Sequence, residues 1–267
     1  MTDIRDTIFA KIAQKKYHAV LTAERPGILS GVDAALLKAA ELGIQLELFK
    51  KEGDPVSQGE YIGNVHAYPK QIALAEECLM GTLAKASGIA TAAKTAVQLA
   101  DGKVEIVSGS WKKMPPQIKD LVRSAITAGG VSFRITAPPM IYLDKNFIRM
   151  LGSISEALSA CTSFPDHTKA VQIRGRDHSI EEETGQAIAG GARILMVDTG
   201  NRVDLARCLQ KINELHARND VKLAFAGNVK CRDIPELARL GADILCIGKE
   251  IVDAPLLDLK LDVIMEE

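Results

Sequence analysis

Ile194-Leu195-Met196-Val197-Asp198-Thr199-Gly200 is a run of four apolar residues ending in an acid, a hydroxyl and a glycine. A short apolar run bounded by turn residues reads as a buried strand, and helical patterning on both sides of it points to a βαβ unit. Other runs of this kind lie near Val104, Phe133, Met140, Ala170, Leu223 and Ile244, most of them separated by helical patterns. Their spacing of about 20 to 30 residues is the rhythm of a parallel sheet, and its regularity favours a barrel or partial barrel over a doubly wound sheet. No G-x-G-x-x-G follows the first of these strands and no G-x-x-x-x-G-K-[ST] occurs, so dinucleotide and Walker-type nucleotide sites lose their main support.

Upstream of Val104 the texture differs. Thr2 or Asp3 can cap a first helix to about Lys16, and Gly31-Val32-Asp33 opens a second that continues to Leu42. Leu46 to Phe49 and Tyr61 to His66 read as strands, with turns at Gly53-Asp54-Pro55 and Gly59. An Ala-rich helical segment runs from Lys70 to Leu99, with a break expected at Ser87-Gly88. Residues 1–103 are thus expected to form a compact α+β domain with a long helical segment, and residues 104–267 the open α/β barrel.

The 267 residues include 47% hydrophobic and 25% charged side chains, the balance of an ordinary globular protein. With 33 basic and 34 acidic residues, no field of one sign advertises nucleic acid or an anionic membrane, so the partner expected is a small molecule. Aromatics at 4% are too few for stacking platforms along a nucleic-acid strand. Five cysteines lie far apart with no C-x-x-C pair, which reads as core thiols in a reducing compartment. Met1 to Lys16 has neither the form of a signal peptide nor that of a membrane span, and the cytoplasm is expected.

In an α/β barrel chemistry sits where strands end, so the residues after each apolar run are the candidates. Val171-Gln172-Ile173 ends in Arg174, Leu223-Ala224-Phe225 in Ala226-Gly227-Asn228, and Ile244 to Ile247 in Gly248-Lys249. Glycine loops followed by helices suit phosphate held by backbone N–H groups, and are equally ordinary turn chemistry. Asp198 suits ribose hydroxyls or a hydrated Mg²⁺, or else caps the helix from Arg202. Between Trp111 and Arg134, the cations Lys112, Lys113, Lys119, Arg123 and Arg134 face one acid, Asp120. The cluster either binds anions or forms a solvated helix face; its place after a strand and before Pro115-Pro116 favours binding. The five histidines show no zinc-ligand spacing, and Arg176-Asp177-His178 before Ser179 reads as a loop leading to a helix cap.

Taken together these residues resemble the quinolinate phosphoribosyltransferase family, the carboxylating nicotinate-nucleotide pyrophosphorylases of NAD biosynthesis. The resemblance spans almost the whole chain. It is carried by Gly27 to Gly31, Gly53-Asp54-Pro55-Val56 with Gly59, Glu76, Ser87-Gly88-Ile89-Ala90-Thr91, Pro116, Ala125 with Gly129-Gly130, Asn146, Asp198, and Gly241-Ala242-Asp243 with Gly248. It implies an amino-terminal α/β sandwich, an open α/β barrel of the type II phosphoribosyltransferase kind, and a homodimer or higher homo-oligomer with shared active sites. It further implies transfer of ribose 5-phosphate from phosphoribosyl pyrophosphate, the co-substrate, to a ring nitrogen. On this reading Lys112, Lys113 and Lys145 meet pyrophosphate, Asp198 the ribose or Mg²⁺, and Gly227, Asn228 and Gly248 the 5-phosphate, with Lys113, Lys145 and Asp198 as the catalytic set.

The chain departs from the family where charge matters. Trp111-Lys112-Lys113-Met114 stands for Thr-Arg-Lys-Thr, Phe133-Arg134 for His-Arg, and Asp144-Lys145-Asn146-Phe147 for Lys-Asp-Asn-His. Glu77 replaces an arginine, and Arg174 a glutamate that would favour a metal. With an arginine and a histidine gone, a dianion such as quinolinate fits poorly, and a monocarboxylate or neutral heterocycle stacking on Phe133 or Trp111 fits better. A branch called ModD departs at the same places, and a non-catalytic or regulatory phosphate-ligand-binding homologue of that type is the alternative. A Schiff-base aldolase using Lys113 or Lys145 is disfavoured, since neither lysine lies in an apolar strand that would lower its pKa.

Overall fold

The computed structural model describes residues 3–266. Its strands, in chain order, are β1 (Tyr17–Ala23), β2 (Gly27–Ile28), β3 (Gln45–Leu48), β4 (Pro55–Val56), β5 (Tyr61–Ala67), β6 (Glu105–Val107), β7 (Met140–Leu143), β8 (Thr168–Ile173), β9 (Ile194–Asp198), β10 (Lys222–Ala226), β11 (Ile244–Cys246) and β12 (Leu259–Glu266). They fall into two compact units that no single cut of the chain separates. One comprises the residues up to Lys94, Lys113–Gly130 and those from Ile251 on; the other comprises Thr95–Lys112 and Val131–Glu250.

The first unit is an α/β sandwich. Its antiparallel sheet has the order β12-β1-β5-β3. Alternation along β1 sends Ala19, Leu21 and Ala23 inward, where they join Ile62, Val65 and Ala67 of β5. Helices Val32–Glu41 and Gly81–Ala100 close this core with Val32, Ala35 and Leu83. Neither β1 nor β12 stands out in the sequence: two of the three inward residues of β1 are alanines, and β12 is mostly exposed. Asp3 does cap the first helix, its Oδ1 accepting from the Arg5 N–H at 3.0 Å, whereas Thr2 lies outside the described residues. That helix covers only Ile4–Ile8 and not the stretch to Lys16, because it buries no residue and so lacks the packing that extends short helices.

The break expected at Ser87-Gly88 does not occur. Gly81–Ala100 is one continuous helix, and the irregularity is a π turn at Glu76–Met80, upstream of it. Gly88 is needed for close approach instead, since a Cβ there would overlap the carbonyl of Pro255.

The second unit is a six-stranded parallel sheet in the order β6-β11-β10-β9-β8-β7. The last strand returns to pair with the first, Leu245 opposite Ile106, while β6 and β7 stay unpaired with each other. The barrel is therefore open between them. The run around Phe133, expected as a strand, lies in this opening and makes only one bridge, Val107 to Ser132. Gly129-Gly130 before it and Pro138-Pro139 after it limit the run that could pair. Inside, Val107, Ala170, Ile194, Met196, Ala224 and Ile244 form the core.

Candidate active site

The period-two alternation that fills the barrel core also selects what stands at its mouth. Residues 170, 172 and 174 lie on one face along and beyond β8, as do 194, 196 and 198 along β9; the first members are apolar core and the last are Arg174 and Asp198. Gln172, buried below them, joins three segments. Its Oε1 accepts from the backbone N–H of Lys145 at 2.7 Å, and its Nε2 donates to Asp198 Oδ2. Arg174 Nη1 donates to the same Oδ2 at 3.3 Å. The backbone is fixed from outside the barrel, where buried Glu183 Oε2 accepts from the N–H groups of Arg174 at 2.6 Å and Gly175 at 3.0 Å. Arg174 Nε is buried with no partner.

Asp198 does not cap the following helix. Asn201 does, its Oδ1 accepting from the Val203 N–H at 3.0 Å. Tyr142 of β7 lies within the same charge field: burial raises its phenol pKa first, and the negative charge of Asp198 adds to the effect. Lys112 Nζ stands 5.5 Å from the centre of the Tyr142 ring, a cation–π arrangement. Asp144 caps helix Lys145–Leu151, its Oδ1 accepting from Asn146 N–H at 2.8 Å and Phe147 N–H at 3.2 Å. A carboxylate at this position thus has a structural duty, and it leaves Lys145 and Asn146 exposed in the first turn.

Trp111 and Phe133 are half-buried and meet edge to face, 6.0 Å between centroids, with Trp111 Nε1 donating to the Phe133 carbonyl at 2.9 Å. They are neither deep core nor a free stacking surface. Arg134 is exposed and lies over the Phe133 ring at 5.4 Å. Lys112 and Lys113 are both exposed and end the short 3₁₀ helix Ser110–Lys113, and the division between the two compact units passes between them. At the ends of β9 and β10 the loops are stitched by Gly200 N–H donating to the Ala226 carbonyl at 3.0 Å. Gly200 and Gly227, at φ of +71° and +108°, approach so closely that neither has room for a Cβ. Asn228 follows in the left-handed region at φ 59°, and Gly248 precedes the turn of helix Lys249–Val252.

Glu77 lies in the first unit, where Arg5 meets its charge in an ion pair. Gln172, Tyr142 and Glu183 were not among the site residues expected from sequence. Alternation along β8 identifies Gln172, and Glu183 is identifiable as the acid in the buried stripe Ile180, Glu183, Thr184, Ala187.

Mg²⁺ tests poorly against these donors. Asp198 Oδ2 already accepts from an amide and a guanidinium, the nearest charge is a cation, and no group of three or more His, Cys, Asp or Glu that could hold a metal occurs among the described residues. A hard divalent ion needs several oxygen ligands in one place.

The model of the quinolinate phosphoribosyl transferase N-terminal domain matches residues 3–87, and that of the C-terminal domain matches residues 89–262. The chain belongs to the quinolinate phosphoribosyltransferase family. Membership makes it an enzyme of the pentosyltransferase class. A probable carboxylating nicotinate-nucleotide pyrophosphorylase of Methanothermobacter thermautotrophicus is 24% identical over 247 residues, covering 92% of this chain and 88% of that one. The human carboxylating nicotinate-nucleotide pyrophosphorylase is 25% identical over 252 residues, covering 93% and 83%. In fold, this phosphoribosyltransferase-family chain is similar to the nicotinate-nucleotide pyrophosphorylase structure from Ehrlichia chaffeensis, with a TM-score of 0.83 at 19% identity, covering 98% and 92% of the two chains.

Proposed function

We propose that this family member transfers ribose 5-phosphate from phosphoribosyl pyrophosphate to the ring nitrogen of a pyridine carboxylate and releases pyrophosphate. The observation that carries this reading is the rim itself: on the family scaffold, Lys112 and Arg174 flank Tyr142 and Asp198 at the carboxyl ends of the parallel strands. Catalysis by such a rim is electrostatic. Lys112, Lys113 and Lys145 neutralise the leaving pyrophosphate as the glycosidic C–O bond breaks. Asp198 takes both of its protein donors on Oδ2, which leaves Oδ1 to face the positive charge that develops on the ribosyl carbon. Gly227, Asn228 and Gly248 are the backbone cradle for the 5-phosphate.

The acceptor is a monocarboxylate of the nicotinate kind rather than quinolinate. Phe133 supplies an aromatic edge where a cationic ring would answer a second carboxylate, and Arg134 remains for the first. The fully assembled enzyme is a homodimer or larger homo-oligomer with shared sites, working in a reducing cytoplasm that keeps its five thiols free. The test is pyrophosphate release from phosphoribosyl pyrophosphate with a panel of pyridine mono- and dicarboxylates. Release with nicotinate above that with quinolinate supports the reading, and tight binding of phosphoribosyl pyrophosphate with no release for any acceptor overturns it.

A further inference from the structure

Beside Arg174, a cavity of about 30 Å³ is lined by Lys145, Arg149, Arg174 and Arg176, together with Asp177 and Glu183. Four cationic and two acidic side chains therefore line it, beside the apolar Ile148 and Ile154. The acids do not balance the cations. With Asp177 and Glu183 counted the lining is still net positive, and of its four cations only Arg174 has an ion pair among the described residues, with Asp198. Arg149 lies one helical turn beyond Lys145, on the same side of helix Lys145–Leu151. Arg174 uses Nη1 alone, on Asp198, and its Nε is buried without an acceptor. A guanidinium offers five donors in a planar fork, so most of this one is unspent. Like charges that converge without partners repel one another, and an oxyanion among them removes both the repulsion and the unmet donor.

We propose that this cavity is an anion subsite, built on Arg174 with Lys145, Arg149 and Arg176, which takes one carboxylate or phosphate group of a substrate without a divalent cation. Asp198 is a positioning residue here: it anchors one edge of the guanidinium and leaves the rest of the fork toward the ligand. The two cationic positions new to the site, Arg149 and Arg176, come from the last turn of helix Lys145–Leu151 and from the loop that follows β8. The subsite belongs to the rim of the proposed transfer, and it rests on that reading only for which anion arrives.

The test is calorimetric titration of the full chain in EDTA with inorganic pyrophosphate, inorganic phosphate and nicotinate separately, and with MnCl₂ alone in the absence of EDTA. The expected result is saturable binding of at least one anion without metal, weakened tenfold or more by Arg174→Met and threefold or more by the pair Arg149→Met and Arg176→Met. Arg174→Lys, which keeps the charge but loses the fork, falls between wild type and Arg174→Met and guards against a variant that fails to fold. Binding of pyrophosphate or phosphate identifies a phosphate subsite, and binding of nicotinate alone identifies a carboxylate subsite; either supports the proposal. It is overturned if no anion binds in EDTA, if the three arginine variants bind as wild type does, or if Mn²⁺ binds alone and Asp198→Asn abolishes it. Failure of pyrophosphate release with intact anion binding would sink the transfer reading and leave the subsite standing.

Discussion

Two arginine–aspartate pairs stand at opposite ends of one parallel sheet. Before the strands begin, Arg218 holds Asp243 with both terminal nitrogens, at 2.8 and 2.6 Å, and also reaches the carbonyls of Gly241 and Val221. Asp243 in turn accepts from the Leu223 N–H at 2.7 Å, so the pair locks the entry of β10 to the approach of β11. Where the strands end, Arg174 touches Asp198 through a single nitrogen at 3.3 Å, and its Nε is unmet. The same two residue types thus make a clamp that uses both terminal nitrogens at one end and one that uses a single nitrogen at the other. A clamp that uses its donors on the protein holds the fold; one that keeps them in reserve is built to meet something else.

Perturbing each end separately would break or sharpen that contrast. The largest effect is expected from Lys113→Ala, which should lower affinity for phosphoribosyl pyrophosphate by about a hundredfold or more, by loss of a charge-assisted contact, with an unchanged melting temperature. Calorimetry and a thermal melt on the same sample check both halves. Asp198→Asn should fold normally and, on the proposed mechanism, reduce the transfer rate by about tenfold to a hundredfold, because it removes the charge assigned there to the ribosyl centre; steady-state kinetics should place the loss in kcat. Arg218→Met should reverse the pattern. Ligand affinity should stay the same, while stability falls by about 1 to 2 kcal/mol, a modest figure because the pair is partly solvated, as read from denaturant unfolding.

The last expectation concerns pH. Burial pushes the Cys208 thiol up to about 11, and burial followed by the Glu250 carboxylate pushes the Cys231 thiol to about 11. Both start from 9.0. In this window the folded chain keeps a proton that the unfolded chain has released, so stability should fall as pH rises from about 9 to about 11. Both thiols should resist iodoacetamide at pH 8, and Cys231, the more exposed of the two, should begin to label near pH 10, as peptide mass spectrometry would show.

Much of the barrel was legible because a buried parallel strand is a nearly pure apolar run, and Ile194–Asp198 or Leu223–Ala226 can hardly be read otherwise. The Phe133 run, Val131-Ser132-Phe133-Arg134-Ile135, alternates apolar and polar residues and forms no named strand, since pairing also requires a neighbour, and the sheet is open where it lies. The sandwich was harder to read. Its edge strand β12 has an exposed face in place of an apolar run, and the alanines of β1 carry little signal. At the site, strand-end positions pointed to Arg174 and Asp198. Their link through Gln172, and the convergence of Arg149 and Arg176 with Lys145, depends on tertiary placement that spacing alone does not express.

The pairing of β1 with β12, from Tyr17 opposite Glu266 to Ala23 opposite Leu259, has a consequence for how the chain matures. On a ribosome, all six parallel strands emerge before the residues that complete the antiparallel sheet. The barrel can therefore settle before the sandwich, begun ahead of it, is completed. Until then the edge of β1 has no β12 beside it, so the nascent protein carries an open sheet edge while all six parallel strands are made. Deleting β12, Leu259–Glu266, would therefore act on β1, a strand made before any of the parallel strands.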